Sequence, residues 1–128
     1  VANKNKGVGT TWETAATDYL NEAGLNARRT GSAEMGSGDI HAGEWTIEAK
    51  AEKVIDLPGY LKQLREEIER TGRPACKSVA MVKNRRHSTG AGYAVMSIEN
   101  YRALMVYVAS MEILLEDTLA AVVEMQRA

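Results

Sequence analysis

The stretch GDIHAGEWTIEAK, from Gly38 to Lys50, constrains this chain more than any other part of it. Polar and apolar residues alternate on both sides of an Ala-Gly step, the pattern of two short strands joined by a tight turn. With Ala42-Gly43 as the turn, Asp39 lies opposite Thr46. The period of two then puts Thr46, Glu48 and Lys50 on the same face as Asp39. Ile40, Trp45, Ile47 and Ala49 take the other face. One side of the hairpin is therefore apolar, and the other carries three ionisable groups close together.

Helical and strand patterns flank this hairpin. Trp12, Ala15, Ala16, Tyr19, Leu20 and Ala23 form one continuous stripe and predict a helix over 11–23. Thr10 and Glu13 fit a capping box at its start, and Gly24 is a natural stop. Residues 1–9 read as a mobile polar arm. Leu25–Thr30 fits a short strand, and Gly31–Gly38 a loop. A second helix is expected over 57–71, capped by Asp56, with Pro58 in its first turn and Gly72 at its end. Its stripe is Leu57, Tyr60, Leu61, Leu64 and Ile68. Ser78–Lys83 reads as a buried strand, Asn84–Gly92 as a basic flexible loop and Tyr93–Ile98 as a last strand. From Ile98 the chain is helical to near its end. Tyr101, Val108, Leu115 and Val122, with Leu104, Met111, Thr118 and Met125, come close to a heptad over four repeats. Two helices bending near Ser110 fit the same residues. The stripe suits a pairing surface or an intramolecular core.

The element order (helix, strand, hairpin, helix, strand, strand, helix) implies an α/β (α+β) chain with a central mixed β-sheet flanked by helices. A length of 128 residues fits one domain, with a core over about 6–104 and a helical extension over about 99–128. No apolar run approaches the ~20 residues that cross a bilayer, and no leader pattern opens the sequence, so a cytoplasmic location is the default expectation. The lone cysteine, Cys76, excludes an internal disulfide and a cysteine-built zinc site. Net charge is −1, but residues 1–98 carry a balance of +2 and residues 99–128 one of −3. An acidic tail thus masks a mildly basic body, and overall charge alone does not suggest nucleic acid.

Two carboxylates within ~5 Å repel, and one pKa rises unless a cation joins them. A divalent metal resolves that conflict. Carboxylate oxygens suit Mg²⁺, which keeps water positions open for a phosphate substrate. The Ala49 carbonyl offers a further oxygen. Lys50 is placed to act on the attacking water or on the charge developing at phosphorus.

These residues resemble the PD-(D/E)XK nuclease superfamily, and within it the archaeal and phage-type Holliday junction resolvases. The resemblance spans roughly Lys6 to Leu104. It takes in Lys6-Gly7, the helix carrying Glu13, Arg28-Arg29, Gly36-Ser37-Gly38-Asp39-Ile40, Ile47-Glu48-Ala49-Lys50 and the helix bearing Gln63. It implies a restriction-endonuclease-like fold, a homodimer and Mg²⁺-dependent cutting of branched DNA, with Mn²⁺ able to substitute, in a bacterial or phage-infected cell. Asp39, Glu48 and Lys50 match the metal-binding and catalytic D…ExK residues. Glu13 matches the helix glutamate that completes the site, and Gln63 a polar residue near it. The sequence departs from the pattern with Gly38 in place of the usual Pro and Thr14 where many cellular resolvases carry Arg. Phosphate contacts then fall to Lys6, Arg28, Arg29 and the loop bearing Lys83, Arg85 and Arg86. The acidic residues 99–128 exceed the minimal fold, and dimerisation is their natural role.

Plainer explanations exist for each feature. Glu48 and Lys50 suit a solvated strand face, Glu13 suits a helix cap worth ~0.5–1 kcal/mol, and His41 suits an exposed turn. In an alternating strand only one of Arg28 and Arg29 can face the site. The competing functions are another nuclease on the same fold (flap, single-strand or restriction-type), a non-catalytic DNA-binding or assembly module, and a helical interaction protein driven by residues 99–128.

Overall fold

The hairpin forms with its turn one residue later than the alternation suggests. In the computed structural model, which describes residues 4–31, 36 and 38–127, the elements run α1 (Lys4–Glu22), β1 (Ala27–Arg29), β2 (Ile40–Ala42), β3 (Trp45–Lys50), α2 (Leu57–Thr71), β4 (Ser78–Val82), β5 (Tyr93–Val95) and α3 (Ile98–Arg127). Single 3₁₀ turns at Ala75–Lys77 and Thr89–Ala91 flank β4 and β5. Ala42 pairs with Trp45, so the two turn residues are Gly43 and Glu44. Both favoured two-residue hairpin turns need a positive φ at their first position. Gly43 adopts 57°, which an alanine there resists. The register moves by two residues relative to the expected one, and Asp39 comes opposite Glu48 rather than Thr46. A shift of one would have exchanged the faces; a shift of two preserves them. Because a Cβ on Gly43 meets nothing within 4 Å, Gly43→Ala isolates this backbone requirement. It should cost about 1–2 kcal/mol in urea unfolding, and an unchanged midpoint would contradict the turn assignment.

Among the described residues five strands order β1-β2-β3-β4-β5, and of their pairings β3–β4 alone is parallel. Parallel neighbours need a crossover, and α2 supplies it. The chain is thus an α+β protein with a mixed sheet and three α-helices among the described residues. Trp12, Ala16, Ala27, Ile40, Ala42, Ile47 and Val79 form the core on the α1 side. Tyr60, Leu64, Ala80 and Val82 form a smaller one on the α2 side. Trp12 Nε1 also donates to the Met81 carbonyl at 2.9 Å, fixing α1 across the sheet.

Helix α2 has the expected bounds. The Asp56 carboxylate accepts from Gly59 N at 3.1 Å, and Gly72 closes the helix in the left-handed region. Helix α1, in contrast, begins at Lys4 and absorbs most of the expected arm. Glycines at 7 and 9 each disfavour helix by about 1 kcal/mol, so the residues themselves do not announce this start. The side chains of Lys6 and Thr10 lie outside the described residues. Glu13 consequently sits in the third turn, where no capping role applies. The last strand ends at Val95, and Ser97 instead caps α3, its Oγ accepting from Asn100 N at 3.1 Å. Helix α3 is one continuous helix of 30 residues without a break at Ser110. Among the described residues no helix is long and apolar enough to cross a membrane.

Candidate active site

Strand β3 presents Thr46, Glu48 and Lys50 to α2, while Ile47 packs toward α1. Thr46 and Glu48 are buried, Glu48 to 1 % exposure. Asp39 stands at the entrance to β2 beside them. Its N–H donates to the Ile47 carbonyl, and its Oδ2 accepts from Ala49 N at 2.9 Å. The aspartate carboxylate is therefore held against the middle residue of the Glu48-Ala49-Lys50 triplet. Gly38 makes this approach feasible. It adopts a φ of 99°, and a Cβ there would lie 2.8 Å from Thr46 Cγ2. Proline cannot reach that φ, which accounts for glycine at this position.

Lys50 is placed by three groups. Its Nζ donates to Gln63 Oε1 at 2.6 Å, lies 3.5 Å from Glu48 Oε2, and sits 5.4 Å from the centre of the Tyr60 ring. Gln63 reaches on to Glu67, its Nε2 3.4 Å from Oε1. Glu67 is 4 % exposed, and its Oε2 lies beside Gly38. A polar chain Glu48–Lys50–Gln63–Glu67 thus links β3 to α2. Glu48 and Glu67 each keep one buried oxygen, Oε2, that makes no hydrogen bond.

Burial is the main reason the Glu48 carboxyl is pushed up to about 10; the adjoining Glu67 carboxyl and the charge of Asp39 add to it, and Lys50 opposes. Glu13 shifts upward too, through burial and the Asp39 charge, with Arg29 opposing. Asp39 therefore sits electrostatically between Glu13, reached from α1, and Glu48, facing α2.

The cationic residues divide. Arg29 turns toward α1, its Nη2 3.6 Å from Glu13 Oε2 and its Nη1 3.3 Å from Thr14 Oγ1. Arg28 takes the opposite face beside His41, with 3.4 Å between Nη2 and Nδ1. His41, expected at an exposed turn, is buried in β2, because the later turn lengthens that strand past it. The loop after β4 begins next to Lys50: Lys83 N donates to the Lys50 carbonyl, and Arg85 Nη2 to the Ala51 carbonyl at 2.9 Å. Arg86 is exposed, with a positive φ of 67°. Arg85 and the exposed Arg86 thus follow the carboxyl ends of the parallel pair, where open α/β sheets bind their ligands.

Glu67 and Arg73 are the site residues that the sequence pattern did not reveal. Glu67 follows Tyr60 by seven positions and Leu64 by three, so it shares their buried face. Arg73 donates to Thr46 Oγ1 at 2.7 Å and to the carbonyls of Gly43 and Trp45, clamping the hairpin from behind α2.

Whether the residues suit a divalent cation is a question of donors. Asp39, Glu48 and Glu67 offer only oxygens, the ligands hard cations take, and two of those oxygens are buried without a hydrogen bond. Among the described residues, no three His, Cys, Asp or Glu side chains are already gathered as a ligand set. The chemistry of the donors fits, although the side chains are not drawn together around one point. Comparison with protein-family models, with curated proteins and with solved structures found no match.

Proposed function

We propose that this chain is a divalent-cation-dependent endonuclease of restriction-endonuclease-like fold, resembling the Holliday junction resolvases and hydrolysing phosphodiesters in branched DNA. The observation that carries the reading is the Asp39 carboxylate seated on the Glu48-Ala49-Lys50 backbone, with Lys50 steered by Gln63. A solvated strand face would leave Glu48 and Lys50 in water. Here Glu48 is buried and Lys50 nearly so. Burying an acid pair is costly without a compensating charge.

Asp39 and Glu48 would hold Mg²⁺ or Mn²⁺, with Glu13 adjoining Asp39 and the Ala49 carbonyl as a further donor. When bound, the cation supplies positive charge against the scissile phosphate. The chain's own groups do the remainder. Lys50 Nζ directs a proton-bearing cation at the phosphorane charge that develops as water attacks in line and the P–O bond opposite breaks. Gln63 fixes the Lys50 rotamer, and Tyr60 walls the site from water. Arg85, Arg86, Lys83, Arg28 and Lys6 contribute phosphate contacts, and Arg29 does so on release from Glu13. Affinity for DNA should then fall steeply with salt.

The deciding experiment incubates purified protein with a labelled four-way junction, a flap and a matched duplex, with and without Mg²⁺, beside Glu48→Ala. Mg²⁺-dependent cutting of the junction that Glu48→Ala lacks is the expected result. Preference for the flap or duplex would move the reading to another nuclease on this fold. No cleavage of any substrate, with junction binding retained, would replace it with a non-catalytic DNA-binding module.

A further inference from the structure

Helix α3 has no counterpart to the burial found elsewhere in the chain. Among the described residues its contacts lie toward its base. Ser97 caps it, Asn100 and Glu99 line a cleft with Leu61, Leu64 and Ile68 of α2, and the Tyr107 hydroxyl meets Lys77 Nζ at 3.4 Å, with the ammonium also 4.4 Å from its ring centre. Beyond that point the helix projects into solvent. At 1.5 Å per residue its 30 residues span about 45 Å.

The projecting part is apolar over more than half its circumference. Val108, Met111, Ile113, Leu114, Leu115 and Val122 are all exposed, Ile113 and Leu115 to 60 % each. An isolated helix of this kind is marginal in water, since helices draw most of their stability from packing one face. The area excess points the same way. A compact monomer of 14.0 kDa exposes about 6,700 Å²; this chain exposes 8961 Å². That excess of about 2,300 Å², spread over the whole chain, is on the scale of area that permanent homo-oligomers bury, about 2,000–5,000 Å².

Charge narrows the occupant. Glu99, Glu112, Glu116, Asp117 and Glu124 outnumber Arg102 and Arg127 on α3. An acidic helix is repelled by DNA phosphates and by anionic lipid surfaces, whereas a copy of α3 meets it along the Tyr101 and Leu104 heptad positions, none of which carries an acid. The heptad of Tyr101, Val108, Leu115 and Val122, with Leu104, Met111 and Met125, is the pattern by which a helix packs on a copy of itself. We infer that α3 is the self-association surface of this protein and that a second copy of the chain, through its own α3, covers the apolar face. The inference stands apart from the nuclease reading, because it is tested without DNA or metal.

The test is the mass of the full chain in solution by light scattering, at micromolar to 100-micromolar concentration, beside the double substitution Val108→Lys, Leu115→Lys. The wild type should show the mass of two chains, about 28 kDa, or a higher even multiple. The double variant should fall to 14.0 kDa and lose helical circular dichroism as the projecting segment unwinds. Trp12 and Trp45, both packed against the sheet, report by fluorescence that the body is still folded. A wild type that stays monomeric throughout overturns the inference and assigns the face to a different protein. A variant that keeps the wild-type mass overturns it as well, placing the contact elsewhere.

Discussion

Lys50→Ala should lower the rate of junction cleavage by ~10²–10³-fold, the usual consequence of removing one group aimed at transition-state charge. Junction affinity should stay near the wild-type value, because Lys50 is tucked against Gln63 and Tyr60 rather than presented outward. Lys50→Arg should fail to rescue. The guanidinium is a planar fork, and the space between Gln63 Oε1 and Glu48 Oε2 suits a compact ammonium. Gln63→Ala should give a smaller loss, since the lysine keeps its charge and loses only one restraint. Single-turnover kinetics alongside equilibrium binding separate these outcomes. Wild-type cutting by Lys50→Ala would remove the residue from the chemistry.

The second large effect concerns Glu48 and the stability of the cation-free protein. Folded Glu48 holds its proton to about pH 10, whereas the unfolded chain releases it near 4.5. Between those values the unfolded state binds fewer protons, so stability falls as pH rises. The contribution is complete below about pH 4.5 and disappears toward pH 10, with a slope of at most about 1.4 kcal/mol per pH unit. The thermal midpoint should therefore drop between pH 5 and pH 9 in chelator, and Glu48→Gln, which cannot ionise, should flatten that slope. Adding Mg²⁺ or Mn²⁺ at pH 8 should raise the wild-type midpoint and leave Glu48→Gln unmoved, as a ligand that binds only the folded state requires. Equal slopes for the two proteins would contradict the buried-acid assignment. A midpoint indifferent to both cations would count against Asp39 and Glu48 as ligands.

Much of this arrangement was legible in the residues, for reasons that differ by element. Helix α2 carries a chemical stop at each end, Asp56-Leu57-Pro58 and Gly72, so its bounds could be read directly. The faces of the hairpin were legible although its register was not. Alternation fixes which side a residue takes, while the turn depends on which glycine accepts a positive φ. The start of α1 was hidden because two glycines argue against helix locally. Glu67 was hidden for a related reason: its spacing from Tyr60 and Leu64 puts it on the buried face, but a glutamate reads as solvated until β3 lies against it. The length of α3 could be anticipated from its heptads. That no element among the described residues covers it could not, since burial belongs to what surrounds a helix and not to its own pattern.

The position of the acidic residues along the chain has a kinetic consequence. Asp39 and Glu48 belong to one local hairpin, whereas the parallel pairing of β3 with β4 waits for α2 to cross over. Short-range pairings close faster than long-range ones. The two acids are thus brought together early and hydrated, and they lose their water only when Tyr60, Leu64 and Glu67 dock. Reversing that last event, by detaching α2 alone, is the least disruptive route by which solvent regains the site. Amide hydrogens of α2 should accordingly exchange sooner than those of β3.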